Sequence, residues 1–153
     1  MAETNSRQAA KIAAGTKNLN ADAGRVRTLV IETPATFAQL AIDDTIAGGV
    51  YVPAGCRVIG ARVSNSAGTA SSTINIGLRK RKDNVVLSAT AIASLIAITT
   101  ATTNPTAASN GAYLAAGVAA QVLTDDAEVY ITAKGAVLAA NQALRVEVDY
   151  VGA

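Results

Sequence analysis

Residues 143–151 read ALRVEVDYV. Leu144, Val146, Val148 and Tyr150 alternate with Arg145, Glu147 and Asp149, so every second side chain is apolar and the ones between are charged. A helix repeats every 3.6 residues and would scatter those apolar groups around its axis; a strand repeats every two and gathers them on one face. The spacing predicts a strand over Gln142–Val151 with one side on a core and the other in water. Ile74, Ile76 and Leu78 against Asn75, Gly77 and Arg79 repeat the pattern. Strands of this kind belong to antiparallel sheets with one wetted face.

The rest of the chain is read around these two. Arg25–Glu32 is a strand centred on Leu29, Val30 and Ile31, closed by Thr33-Pro34 because proline cannot donate to a ladder. Phe37–Ile42 is extended. Asp43-Asp44 and Gly48-Gly49 bracket a loop around Ile46, and Val50–Val52 leads into the turn Pro53-Ala54-Gly55. A strand over Arg57–Ser64 follows, with Ile59, Ala61 and Val63 expected on the core side. Arg79-Lys80-Arg81-Lys82 runs into the turn signal Asp83-Asn84, and Val85-Val86-Leu87 returns, giving a hairpin with a basic tip whose charges alternate between faces. Leu87, Ala91, Leu95 and Ile98, with Ile92 and Ile96, have helical spacing, which predicts one short helix or a crossover over Ser88–Ile98. Thr99–Gly117 is a long loop, pinned to the body or to a neighbour by Tyr113-Leu114. Ala120–Thr124 and Glu128–Ala133 are the remaining strands.

About eight strands at such spacing, separated by turn signals, predict an all-β, antiparallel β-sandwich of jelly-roll type with at most one short helix. A seven-stranded immunoglobulin-like sandwich is the alternative; the chain lacks its Cys…Trp…Cys signature, having one cysteine and no tryptophan. At 153 residues the chain is long enough for one domain with a substantial core. With only five aromatics, four Tyr and one Phe, that core is built from Val, Ile, Leu and Ala. Residues 1–24 form an extended N-terminal arm ahead of a sandwich domain at 25–153: Ile12 and Leu19 are the arm's only larger aliphatic groups after Met1. Arg7, Lys11, Lys17, Arg25 and Arg27 face only Glu3 and Asp22 in this part of the chain, which suits an acidic partner surface.

Most chemistry is excluded by composition. There is no histidine, and Cys56 is alone, so a zinc or iron site is nearly excluded, no intramolecular disulfide is possible, and Cys56 reads as a small hydrophobe opening a strand. Asp43-Asp44 and Asp125-Asp126 sit in no calcium-loop spacing. No base frames a nucleophile, and Gly48-Gly49 belongs to no phosphate-binding fingerprint. The expectation is a non-enzyme with no cofactor, no metal and no small-molecule substrate. There is no apolar run long enough for a membrane span and no secretion signal, which places synthesis in a cytoplasm. Arg79, Lys80, Arg81 and Lys82 could meet phosphates, but without interleaved aromatics nucleic acid is the less favoured partner.

The layout VPAGCRVIGARVSNSAGTASSTINIGLR at 52–79, the Thr/Ala/Asn loop with Pro105 and Tyr113, and the ending ALRVEVDYV together resemble the capsid decoration, or cement, proteins of tailed bacteriophages. The resemblance spans residues 26–151 and is one of layout and composition. It implies a jelly roll on the outside of an icosahedral virion, bridging major capsid subunits and associating with copies of itself as a dimer or trimer. Contacts are expected from Arg7, Lys11, Lys17, Arg25, Arg27, Arg79, Lys80, Arg81, Lys82 and Tyr113. The alternative is a receptor- or glycan-binding head or fibre module using the Thr99–Gly117 loop.

Overall fold

A computed structural model of the chain describes residues 25–115 and 122–152. The strands are β1 (Val26–Glu32), β2 (Thr45–Val52), β3 (Cys56–Asn65), β4 (Thr73–Lys80), β5 (Val86–Ala97), β6 (Thr106–Ala107), β7 (Ala127–Lys134) and β8 (Leu144–Gly152), with one helical turn, α1 (Ala112–Ala115), between β6 and β7. They form two four-stranded antiparallel sheets, in the orders β1-β8-β3-β6 and β2-β7-β4-β5. Consecutive strands change sheet at every step except the β4-β5 hairpin. That crossing pattern, with two packed sheets, is the jelly roll. The expected arm, residues 1–24, lies outside the described residues.

The period-two reading holds on β8, which has one wet face, and on β4, where Asn75 and Gly77 between the apolar residues are buried as well. Leu144, Val146, Val148 and Tyr150 are buried on β8, while Arg145 is exposed and Glu147 and Asp149 are half-buried. Ile74, Ile76 and Leu78 are fully buried on β4. With Val52, Val58, Val63, Ile92, Val129, Ile131 and Leu138 they make an aliphatic core between the sheets. Cys56 opens β3 as a half-buried free thiol packed against this core.

Four sequence expectations need correction. Ser88–Ile98 is strand, not helix or crossover: it lies within β5 apart from its last residue. Three register shifts break its pairing with β4, and Ala89–Ile92 stand against Gly77 alone. A strand bulged in this way and buried at Ala91, Ile92 and Ala93 has no clean period of two, and its apolar residues fell by chance on a helical spacing. The loop around Ile46 is strand β2, and Gly48-Gly49 is its bulge. At Gly48 a Cβ would overlap the Val129 carbonyl oxygen and crowd Ile31, and Gly49 adopts φ +64°, so glycines that punctuate a loop in sequence here let β2 bend. On β3 the core residue is Val58, not Ile59, which is 40% exposed; a bulge between Val58 and Gly60 moves the face by one. Of Ala120–Thr124, residues 120 and 121 lie outside the described residues; Val122 forms a single bridge to Arg57 and Leu123 is buried, so no strand is formed over the remainder.

The Thr99–Gly117 segment is less open than its composition implies. It contains β6 and α1, and Tyr113 and Leu114 pack partly buried against the core. They therefore pin the segment to the body of this molecule.

Candidate interaction surface

At one end of the sandwich three turns meet: 53–55, 81–84 and 124–126. Their backbones are joined directly. Gly55 N–H donates to Leu123 C=O at 2.8 Å, and Arg81 N–H to Asp126 C=O at 2.9 Å. Ala54 N–H donates to Asp126 Oδ1 at 3.0 Å. A cleft of about 570 Å³ opens here, lined by Lys80, Arg81, Lys82, Asp83, Asp125 and Asp126.

The basic run is drawn into this junction. Arg79 pairs with Glu128 at 2.8 Å, with both side chains largely buried at 20% and 8% exposure. Its guanidinium also lies 5.3 Å from the centre of the Tyr130 ring. Lys80 pairs with Asp125 at 3.0 Å, and Arg81 with Asp126 at 3.9 Å while stacking 4.3 Å over Tyr51. Lys82 has no ion pair among the described residues. Four cations and the four carboxylates of Asp83, Asp125, Asp126 and Glu128 thus share one region, and its formal charge cancels.

The register explains the row. Tyr51 of β2, Glu128 of β7 and Arg79 of β4 are direct cross-strand neighbours on the outer face of the second sheet. Gly49 N–H, freed by the β2 bulge, donates to Glu128 Oε1 at 3.0 Å. Burial pushes the Glu128 carboxyl up, but the hydrogen bonds from Arg79 and Gly49 and the Arg79 charge hold it below its ordinary value. Burial pushes the Tyr130 hydroxyl up, only partly offset by Arg79. The Lys80 hydrogen bond and charge hold Asp125 low.

The outer face of the first sheet carries a second, partly exposed charge network. Arg62 pairs with Glu147 at 3.2 Å and Asp149 at 2.8 Å; Arg145 pairs with Glu147 at 2.8 Å and also reaches Glu32. Hydrogen bonds from Arg145 and Arg62 hold Glu147 below its usual range. A cleft of about 300 Å³ beside it is lined by Glu32, Thr33, Ser64, Asn65, Ser66, Thr102 and Arg145, with Ala143 and Leu144. Neither cleft brings a free base to a nucleophile. Among the described residues no cluster of three His, Cys, Asp or Glu is placed to hold a metal ion, and no helix is long and apolar enough to cross a membrane.

Of the residues expected to meet a partner, the structure brings together Arg79, Lys80, Arg81 and Lys82. Arg25 and Arg27 are exposed at the start of β1, in the other sheet. Tyr113 faces the core, and Arg7, Lys11 and Lys17 lie outside the described residues. The sequence reading missed the acidic half of the junction. Its signal was the pair of charged turns, Asp83-Asn84 and Asp125-Asp126, each next to a strand of the same sheet.

No family model matches the chain, and no curated protein matches it. Solved structures do. A chain in the capsid of Ralstonia phage GP4 is similar at 15% identity and a TM-score of 0.61, over 84% of this chain and 85% of that one. A chain in the capsid asymmetric unit of cyanophage Pam1 matches at 18% identity and a TM-score of 0.49, over 85% and 86%.

Proposed function

We propose that this chain is a structural protein of a tailed-phage virion, a jelly roll that binds the outside of an icosahedral capsid and cements neighbouring major capsid subunits. One observation carries the reading: the fold matches a chain of a phage capsid over 84% of this chain and 85% of that one. The physical character of the molecule supports it. Most charges among its described residues are held in internal pairs, its clefts hold no assembled reaction centre, and its surface is a frame of strands. Such a molecule is suited to binding protein, and many weak contacts on a repeating lattice sum to firm attachment. In this reading residues 1–24 lie along capsid subunits, with Arg7, Lys11 and Lys17 meeting carboxylates; an arm that orders on its partner gains surface at the cost of its freedom.

The test is the copy number of this chain in purified virions, by quantitative mass spectrometry against the major capsid protein. A number of the same order as that protein is expected. A few copies per particle would move the chain to a vertex, neck or fibre, where the receptor-binding alternative belongs; none would remove the virion reading. In the same preparation, a chain lacking residues 1–24 should keep its β-sheet circular dichroism and lose capsid attachment.

A further inference from the structure

Each sheet ends in two edge strands: β1 and β6 in one, β2 and β5 in the other. An edge strand offers peptide groups with which another chain can pair. Three of the four are spoiled for that use. β6 has two residues. β2 is bulged between Ala47 and Tyr51. β5 is broken by three register shifts, and its middle is already occupied. There Gly111 N–H donates to Ile92 C=O at 2.9 Å, and the Asn110 side chain accepts from Ser94 N–H at 2.8 Å and donates to Ser94 C=O at 2.9 Å.

β1 differs from all three. Its seven residues pair with β8 in one unbroken register, Val26 with Val151 through Glu32 with Arg145. Thr33 N–H donates to Leu144 C=O at 2.9 Å at the end of this ladder. Antiparallel alternation then turns the peptide groups of Ile31, Leu29 and Arg27 toward β8, and those of Glu32, Val30, Thr28 and Val26 toward the open edge. Among the described residues nothing pairs with the backbone on that side. Val26 and Val30, both on the outer face, are 53% and 39% exposed.

We propose that β1 pairs antiparallel with β1 of a second copy about a two-fold axis at Thr28, making one continuous sheet from two. The sequence of β1 selects this register. A two-fold axis normal to the sheet sets only residues of one face opposite each other. Centred on Thr28, it places Val26 against Val30 of the second copy twice, and Thr28 against itself, all at outward-turned peptide groups. Arg27 then faces Leu29 and Arg25 faces Ile31, so no cation opposes a cation. An axis at Leu29 would set Glu32 against Val26. An axis at Val30 would set Val26 against Pro34, which has no N–H to give. The proposal rests on strand geometry alone and stands apart from the virion reading.

Sedimentation equilibrium of the full chain across a dilution series tests it. The expected species has twice the chain mass of 15.4 kDa and dissociates to 15.4 kDa on dilution. Thr28→Pro removes an N–H that faces the second copy and none that faces β8; Val30→Lys sets a charge against Val26. Each should raise the dissociation constant roughly tenfold or more with the circular dichroism unchanged. If Thr28→Pro fails to fold, Val30→Lys carries the test. Thr28→Cys in a Cys56→Ala background should form a disulfide-linked pair under mild oxidation. A wild type that is monomeric throughout, a trimer, or a dimer unaffected in folded Val30→Lys overturns the proposal.

Discussion

Glu128 holds a charge where a lone carboxyl would tend to give it up. Its side chain is 8% exposed, and three contacts keep it ionised: the Arg79 guanidinium, the Gly49 N–H, and through Arg79 the face of Tyr130. Each depends on a different strand, so the charge is a joint product of β2, β4 and β7. Removing one member of a buried pair strands the other, which typically costs several kcal/mol; the partial exposure of Arg79 lowers this to about 2–3 kcal/mol for Arg79→Ala. The folded Glu128 carboxyl sits below its ordinary value of 4.5. A group depressed by folding contributes stability above its unfolded pKa and loses it as pH falls through the folded one. Glu128→Gln should therefore be less stable than wild type near neutrality, and the gap should close in acid. Urea unfolding at about pH 7 and about pH 3 measures this. If the gap stays constant, Glu128 is not charged in the folded protein.

Among the elements, β5 is the least regular and shows most clearly what a sequence withholds. Leu95, a residue 61% exposed, adopts φ +52°, a left-handed conformation that ordinarily costs an L-residue roughly 1–2 kcal/mol. Its N–H is fixed by the buried Asn75 Oδ1 at 2.8 Å, and the neighbouring Ser94 is held by Asn110. Leu95→Asn, which tolerates this region and gives up little packing, should stabilise the protein by about 0.5–1 kcal/mol in chemical denaturation. A loss of stability would mean that the exposed leucine packs on something after all. β8, with one wet face, and β4, whose outward positions are polar although Asn75 and Gly77 are buried, were legible from their alternation. β5 was not, because its bulge and its buried middle hide the period of two, and Leu87, Ala91, Leu95 and Ile98 imitated a helix. β2 was hidden because Gly48-Gly49 reads as a turn until Val129 and Ile31 are known to press against it. The basic run was legible as charge but not as a junction. Arg79 meets a carboxylate 49 positions away, and only the β4-β7 register brings the two together.

At the scale of the molecule, almost every sheet neighbour is remote in sequence, since only β4 and β5 are joined as a hairpin. Loop closure must precede the contacts that reward it, so folding should take roughly milliseconds to seconds, as in other all-β domains; stopped-flow refolding monitored at the tyrosines measures it. A microsecond phase accounting for the full amplitude would contradict the topology. The two ends of the described sandwich are, by contrast, neighbours: Val26 lies opposite Val151 in the β1-β8 ladder. Anything fused after the final strand would emerge beside the first residue of β1. The same adjacency makes the point at which the chain opens largely arbitrary. A linker across that corner and a new break at the Asp83-Asn84 tip would preserve every strand pairing, so a gene rearranged in this way could encode the same frame with its free ends moved to the other sheet at the same end of the sandwich.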